Sequence, residues 1–361
     1  MAKPHYTVKA PGKLLIAGEY AVTELNQDSI VVAVDRYITV EVYPSSVNRL
    51  ELPQLGLTDV QWKVEAGEVL FSINDDRLRF IKSVIKLVYA YVNKDVDRAV
   101  TLTVKSELDD PSGQKYGLGS SAAIVVAVVT ALLKWYQGSE DLMTIFKLAS
   151  AAHFHTQGNG SCADIAASTF GGWIQYRTFD GDWLNQQLTE VRSIKKIIDG
   201  PWPGLKIEPI QLPPSLHFLV GWTGNAASTA PMVHNIRQLK QANPSTYDQF
   251  LQQSQQAVAF ILDGFANNQP ELVLAGVRKN RQALQFISNQ AQVVIETPVL
   301  EKLATLASKY GSAKSSGAGG GDCGIAFVEE QANVEQLKAE WARSGITPLD
   351  LQVAEKGVGA Y

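Results

Sequence analysis

Hydrophobic and polar positions alternate along several short segments in the first third of the chain, and this period of two predicts β-strands. The segments with this pattern, or with a run of β-branched residues, are 6–10, 29–34, 37–42 and 100–104. The first is expected to end at Pro11-Gly12, because this pair interrupts regular strands. Residues 76–92 repeat apolar positions at helical spacing instead, so we expect an amphipathic helix there.

Helical spacing dominates the rest of the chain, beginning directly after a short glycine-serine segment. Helices are predicted at 121–136, 141–157, 164–170, 231–241, 246–267, 271–290, 297–310 and 334–344, and strands at 173–177, 216–222, 324–328 and 348–353. Strands and helices are grouped rather than strictly alternating, so the pattern favours an α+β fold over a doubly wound sheet.

A segment rich in proline and glycine, residues 195–214, interrupts these patterns. Such a composition is typical of a boundary between domains. The length of 361 residues also exceeds what one domain usually needs. We therefore predict two domains, residues 1–200 and 201–361.

Charge and cysteine content narrow the class of protein. The net charge is -4, and a nucleic-acid binder usually needs a basic face, so no nucleic-acid partner is expected. The two cysteines form neither a metal-type pair nor a disulfide framework. The longest apolar run, 122–133, is too short to cross a bilayer, and the first residues contain no signal-like apolar segment. We expect a cytoplasmic protein without a membrane partner.

The segment Gly117–Ser121 lies between a polar turn and an apolar helix. Glycines let backbone N–H groups approach an anion, and the start of the following helix adds unpaired N–H groups and a favourable dipole. Serine hydroxyls can donate further hydrogen bonds or reach a metal ion. This pattern indicates a phosphate cradle, although the chain has no Walker-type motif. An ordinary glycine turn with serine caps is the structural alternative.

Three further segments carry candidate chemistry. Within residues 11–22, an apolar run lies between two glycines, with Lys13 near its start and Glu19-Tyr20 directly after its end. Asp164 begins a helix of small residues, and residues 314–324 form the densest glycine cluster, directly before a predicted strand. Each segment also has a structural alternative: a surface lysine on a strand, an acidic residue that favours the helix dipole, and a flexible linker.

Together, and in this order, the segments resemble the motifs of the GHMP kinase superfamily, with Gly-Leu-Gly-Ser-Ser-Ala-Ala at 117–123 as the central match. The resemblance covers nearly the whole chain. It implies an α+β GHMP kinase fold with an N-terminal domain like ribosomal protein S5 domain 2. It also implies a C-terminal ferredoxin-like α/β domain and an active site in the cleft between the two.

Within the superfamily the chain is similar to bacterial-type phosphomevalonate kinases. Glu19-Tyr20 stands where mevalonate kinases tend to have Glu-His, the third motif ends Gly-Gly-Gly-Asp-Cys-Gly, and residues 220–230 also look like that family. The resemblance implies transfer of phosphate from ATP, with Mg²⁺, to (R)-5-phosphomevalonate, in the mevalonate route to isopentenyl diphosphate. It leaves open a monomer or a homodimer.

The resemblance also implies a role for each matching residue. Lys13 and Asp164 would be catalytic. The ATP contacts would be Lys115, Gly117, Leu118, Gly119, Ser120 and Ser121, with Ser120 as a metal ligand. The acceptor contacts would be Lys13, Glu19, Tyr20, Ser161, Ser228, Thr229, Gly319, Gly320 and Asp322. Residues 152–157 contain no carboxylate, so we expect phosphates, Ser120 and water to hold most of the metal's coordination positions.

Three alternatives remain open at this point: a mevalonate kinase of the same superfamily, a ligand-sensing relative without catalysis, and a related decarboxylase. The chemistry of the acceptor also bears on Asp164. A phosphate monoester is largely dianionic at neutral pH and has no proton that must be removed. We therefore hypothesise that Asp164 orients Lys13 and the acceptor rather than acting as a base.

Overall fold

A computed structural model describes residues 3–92, 98–110, 112–138, 141–158, 160–190, 193–225 and 229–361. The strands are β1 Tyr6–Ala17, β2 Asp28–Pro44, β3 Arg49–Leu52, β4 Leu57–Glu65, β5 Glu68–Phe71, β6 Val100–Ser106, β7 Trp173–Arg177, β8 Lys206–Ile210, β9 His217–Trp222, β10 Gly311–Ser315, β11 Cys323–Val328, β12 Thr347–Leu349 and β13 Gly359–Ala360. The helices are α1 Arg79–Val92, α2 Ser120–Gln137, α3 Leu142–Gln157, α4 Ala163–Phe170, α5 Gly181–Glu190, α6 Ile194–Asp199, α7 Thr229–Ala242, α8 Pro244–Ala266, α9 Pro270–Ala291, α10 Pro298–Ala307 and α11 Gln331–Arg343.

Two sheets organise these elements. The larger sheet has the order β13-β1-β2-β6-β3-β4-β5, with β7 paired to β2 and β8 paired to β7. The smaller sheet has the order β10-β11-β9-β12 and is antiparallel throughout. Helices α2 and α4 pack on β1, whereas α9 and α10 pack on β10. The predicted α+β class is confirmed, because mixed sheets and packed helices occur together.

The division at residue 200 stays a prediction. The proline-rich segment that suggested it contains α6 and β8, and β8 pairs with β7 in the larger sheet. The last strand, β13, also returns to the larger sheet and pairs with β1. The C-terminal residues therefore contribute to the sheet that the first residues build.

Three strand predictions are corrected. The strand predicted at 348–353 is the shorter β12, Thr347–Leu349. Strand β1 does not end at Pro11-Gly12 but continues to Ala17, with a register shift at this pair. The two segments predicted at 29–34 and 37–42 form one strand, β2, which pairs with β7 in its first part and with β6 in its second. A bulge absorbs the local irregularity in β1 and β2 and lets the ladder continue.

The elements that periodicity missed lie mostly at the edge of the larger sheet. Strands β3 and β5 have four residues each, and β4 carries five exposed polar side chains, so the apolar pattern that marks each strand in the sequence is short. Helix α5 also was not predicted; of its ten residues, Leu184 alone is buried.

Helix α2 is long and apolar enough to cross a membrane, and no other helix in the described ranges is. Its residues from Val125 to Leu133 are almost completely inaccessible to solvent, because α1, α3, α4 and the larger sheet surround them. We conclude that α2 is a buried core helix, whose N-terminus meets the glycine-serine loop.

Candidate active site

The glycine-serine loop has the backbone geometry of an anion cradle. Gly117 and Gly119 have φ angles of 81° and 80°, a region that favours glycine. The N–H of Ala123 donates to the carbonyl of Gly119 at 3.1 Å. The N–H groups between these two residues, at the start of α2, consequently have no acceptor within the helix. They and the helix dipole favour a negatively charged group at this position.

Lys13 lies directly against this loop. Its backbone N–H donates to the carbonyl of Leu118 at 2.9 Å. A Cβ atom at position 119 would lie 2.9 Å from Cε of Lys13, so the lysine side chain runs along Gly119. A Cβ atom at position 12 would lie 3.0 Å from the carbonyl oxygen of Leu118. Glycine at both positions therefore permits β1 and the loop to meet, and this brings two of the predicted motifs together.

Helix α4 carries Asp164 toward the same strand. The hydroxyl of Ser168 donates to the carbonyl of Pro11 in β1 at 2.7 Å. Asp164 is one helical turn before Ser168, on the same face of α4. Lys13 and Asp164, the two residues predicted to be catalytic, therefore both lie near the contact between β1 and α4.

Hydrogen bonds to its backbone hold Ser161 in place before α4. Its carbonyl accepts hydrogen bonds from the hydroxyls of Tyr176 and Thr178, at 2.5 and 3.1 Å. Its own hydroxyl accepts from the N–H of Ala163 at 3.3 Å. Its predicted contact with the acceptor stays a prediction.

A first cavity, the α1 cavity, has a volume of about 560 Å³ and borders the glycine-serine loop. Ser120, Ser121 and Lys115 line it together with the apolar side chains of Ile38, Leu52, Leu55, Phe80, Ile81, Val104 and Ile124. The Phe80 ring is stacked on His153 with a centroid distance of 4.9 Å. An apolar wall beside an anion cradle is suited to a flat apolar group that carries phosphates.

A second cavity, the α7 cavity, has a volume of about 740 Å³ and lies between the end of β1, α5 and α7. Leu15, Gly160 and Gly317 are among the residues that line it. Lys13 and Leu15 share one face of β1 and are partly exposed, whereas Leu14 is buried in the core. Lys13 therefore lies between the loop that borders the α1 cavity and the strand segment that lines the α7 cavity.

The third glycine-rich segment is anchored to this second cavity. The Tyr20 hydroxyl donates to the carbonyl of Ala318 at 2.5 Å, and burial raises the pKa of that hydroxyl, so it stays protonated. Gly317 and Ala318 line the cavity. The N–H of Gly320 donates to the carbonyl of Ile295 at 2.7 Å, and Gly319 packs on the same carbonyl. Contacts of Gly319 and Gly320 with the acceptor stay predictions. The geometry favours Gly317 and Ala318 as acceptor contacts instead, because these two residues line the cavity.

Asp322 lies on the side of the glycine-serine loop. A Cβ atom at position 117 would lie 2.6 Å from Cγ of Asp322, so the aspartate packs against Gly117. The Asp322 backbone also pairs with Asn225 and Thr223. Ser228 lies outside the described residues, and the backbone of Thr229 begins α7.

Glu19 takes part in a buried polar network that the sequence did not reveal. One carboxylate oxygen pairs with Nζ of Lys314, and the other accepts from the amide of Asn280 at 2.8 Å. Lys314 is 0% exposed and Glu19 is 1% exposed. Burial lowers the pKa of Lys314, and the Glu19 carboxylate counteracts this effect. Both oxygens of Glu19 have protein partners, so its predicted acceptor contact stays a prediction and a positioning role is favoured.

The described residues contain no group of three or more His, Cys, Asp or Glu side chains that could hold a metal ion. Mg²⁺ bound to a nucleotide is held mainly by phosphate oxygens and water, and Ser120 as its protein ligand stays a prediction. When bound, such an ion supplies positive charge to the phosphates.

Comparison with known proteins defines the class of this site. Residues 79–172 match the GHMP kinases N terminal domain, and residues 261–347 match the GHMP kinases C terminal domain. The chain belongs to the GHMP kinase family, whose members use ATP. The N-terminal match includes α1, the glycine-serine loop and α4.

Among curated proteins, the chain is 32% identical to the phosphomevalonate kinase of Streptomyces sp. strain CL190, with 97% of each chain covered. Among solved structures, it is similar to a protein from Listeria innocua, at 38% identity and a TM-score of 0.93, with 99% of each chain covered. It is also similar to Streptococcus pneumoniae phosphomevalonate kinase in complex with phosphomevalonate and AMPPNP, at 29% identity and a TM-score of 0.83 over 96% of this chain and 99% of that one.

Proposed function

We propose that this GHMP kinase transfers the γ-phosphoryl group of ATP to (R)-5-phosphomevalonate, giving ADP and (R)-5-diphosphomevalonate in the cytoplasm. The observation that carries the proposal is the position of Lys13 between an anion cradle with an apolar cavity and a second cavity. Two phosphate-bearing substrates can then meet at one cation. The similarity to two phosphomevalonate kinases supports this choice of acceptor.

The negative charge of the two substrates explains why cations and N–H groups are placed at this site. Phosphoryl transfer depends mainly on positioning and on stabilising charge. Here a phosphate oxygen of the acceptor attacks the γ-phosphorus, and the bond from that phosphorus to the ADP oxygen breaks. Two polyanions repel each other strongly in a cleft that excludes water. The N–H groups of the glycine-serine loop, Lys115 and Lys13 compensate this charge, and Asp164 orients Lys13 and the acceptor.

The acceptor is tested by a coupled assay of ADP release with phosphomevalonate and with mevalonate, in the presence of ATP and Mg²⁺. We expect turnover with phosphomevalonate and little with mevalonate. Preference for mevalonate would make the protein a mevalonate kinase, and release of CO₂ would make it a decarboxylase. ATP-dependent binding of phosphomevalonate without turnover would identify a sensor.

Replacing Asp164 by asparagine separates orientation from base catalysis. We expect kcat to fall by less than about a thousandfold, without a new pH dependence near neutrality, because a dianionic phosphate needs no proton removed. Asp263→Asn, an exposed change on α8, is the matched control and should leave kcat unchanged. A larger loss with strong pH dependence near pH 7 would indicate a true base.

A further inference from the structure

Helix α7 places two cations on the wall of the α7 cavity, Arg237 and Lys240. Nζ of Lys240 contacts both carboxylate oxygens of Glu24 at 2.8 Å, and the Tyr247 hydroxyl donates to the same carboxylate at 2.9 Å. The charge of Lys240 is therefore compensated within the protein.

Arg237 differs from Lys240 because it makes no ion pair within the described part of the chain. Its side chain is exposed and lines the cavity. Among the acidic residues that line the same cavity, Glu19 is paired with Lys314, and Asp180 accepts the N–H of Trp183 at the start of α5. Asp182 is exposed in the first turn of α5, where the helix dipole favours it. Arg237 is thus the cation of this cavity that a ligand can use.

Different elements line the two ends of the α7 cavity. Leu15 and Gly160, which line the cavity, are near Lys13 and Ser161 in the chain, so the proposed transfer of phosphate belongs to this end. Arg237 of α7 lines the cavity together with Tyr247 of α8 and Glu24. The guanidinium therefore belongs to the part of the cavity built by these two helices and by Glu24.

The proposed acceptor has a phosphate at one end of a five-carbon chain and a carboxylate at the other. Its phosphate must reach Lys13, so its carboxylate must point away from β1. A guanidinium matches a carboxylate with two parallel hydrogen bonds, which an ammonium cannot reproduce. We propose that Arg237 binds the carboxylate of the acceptor and thereby sets its orientation in the cavity; this inference rests on the proposed function.

The test compares phosphomevalonate with its primary amide, which replaces the carboxylate by a neutral group of the same size. The Arg237→Met variant should lose about tenfold to a hundredfold in kcat/KM for phosphomevalonate, the range expected for a hydrogen bond between charged groups. Most of the loss should appear in the KM of the acceptor, and the KM of ATP should not change. The amide should react equally well with both enzymes, and Arg237→Lys should recover only part of the loss.

Arg343→Met, an exposed change on α11, is the matched control and should keep the wild-type preference for the carboxylate. An equal loss for both acceptors, or no loss for phosphomevalonate, would overturn the inference. The wild-type enzyme tests the proposed function separately. If it uses mevalonate instead, the comparison of mevalonate with its amide decides the role of Arg237. If it turns over neither acceptor, calorimetry can compare the binding of phosphomevalonate and of its amide to the wild-type and Arg237→Met proteins.

Discussion

Replacing Lys13 by methionine is expected to lower kcat by about a thousandfold or more, the scale seen when a transition-state cation is removed from a phosphoryl-transfer site. The KM of ATP should change much less. The side chain of Lys13 runs along Gly119, beside the predicted anion cradle, and Lys13 shares a face of β1 with Leu15, which lines the α7 cavity. Its interaction should strengthen as charge shifts during transfer, and such an interaction raises kcat more than ground-state binding.

Steady-state kinetics with both substrates varied separate the two parameters. Lys105→Met is the matched control, because Lys105 is an exposed lysine on β6 that pairs with Glu41. We expect the control to keep wild-type kcat and KM. Weakened ATP binding with normal turnover in Lys13→Met would show that Lys13 only binds the nucleotide.

The second large effect concerns the buried pair of Glu19 and Lys314. The Lys314→Met variant leaves the Glu19 carboxylate buried with Asn280 as its remaining side-chain partner. Breaking a buried ion pair by removing one partner usually costs about 3–5 kcal/mol. We expect a loss of this size in the free energy of unfolding, measured by urea denaturation. The double variant Glu19→Gln/Lys314→Met removes both charges and should recover much of the loss.

An exposed pair provides the matched control for this cycle. Nζ of Lys63 lies 2.6 Å from a carboxylate oxygen of Glu65, and their side chains are 63% and 56% exposed. Such pairs contribute about 0–1 kcal/mol, so Lys63→Met should have little effect. If the losses in the free energy of unfolding caused by Glu19→Gln and by Lys314→Met simply added in the double variant, with no recovery, the pair would not act as a unit.

The same pair connects stability with the site. Lys314 also donates to the carbonyl of Ile16 at 3.2 Å, and the N–H of Gly18 donates to the side-chain oxygen of Asn280 at 3.3 Å. The network therefore holds the turn that carries Tyr20 against the segment that carries Ala318. Both residues line the α7 cavity. Any folded Lys314→Met protein should accordingly show a raised KM for the acceptor rather than for ATP.

Local sequence signals were sufficient for the long apolar helices and for several buried strands, but they missed β10, which is also largely buried. The predicted helix at 121–136 is α2, and the predicted strand at 173–177 is β7. The prediction failed where the surroundings decide the conformation. Pro11-Gly12 is typical of a strand end, yet β1 continues because β2 pairs with it on both sides of the register shift. Strand β4 was not predicted, although apolar and polar residues alternate from Val60 to Val64.

The sequence by itself predicted a phosphate cradle before α2, because glycine conformations and helix N-termini are local properties of the backbone. By resemblance it also indicated the family, which is confirmed, and catalytic roles for Lys13 and Asp164, which stay predictions. Only the tertiary structure decided which residues meet. It paired Glu19 with Lys314, which is 295 positions away along the chain, and it placed Arg237 in the α7 cavity with no ion pair to any described residue. Such contacts depend on how β1, β10 and α7 pack, and no local pattern encodes the distance between them.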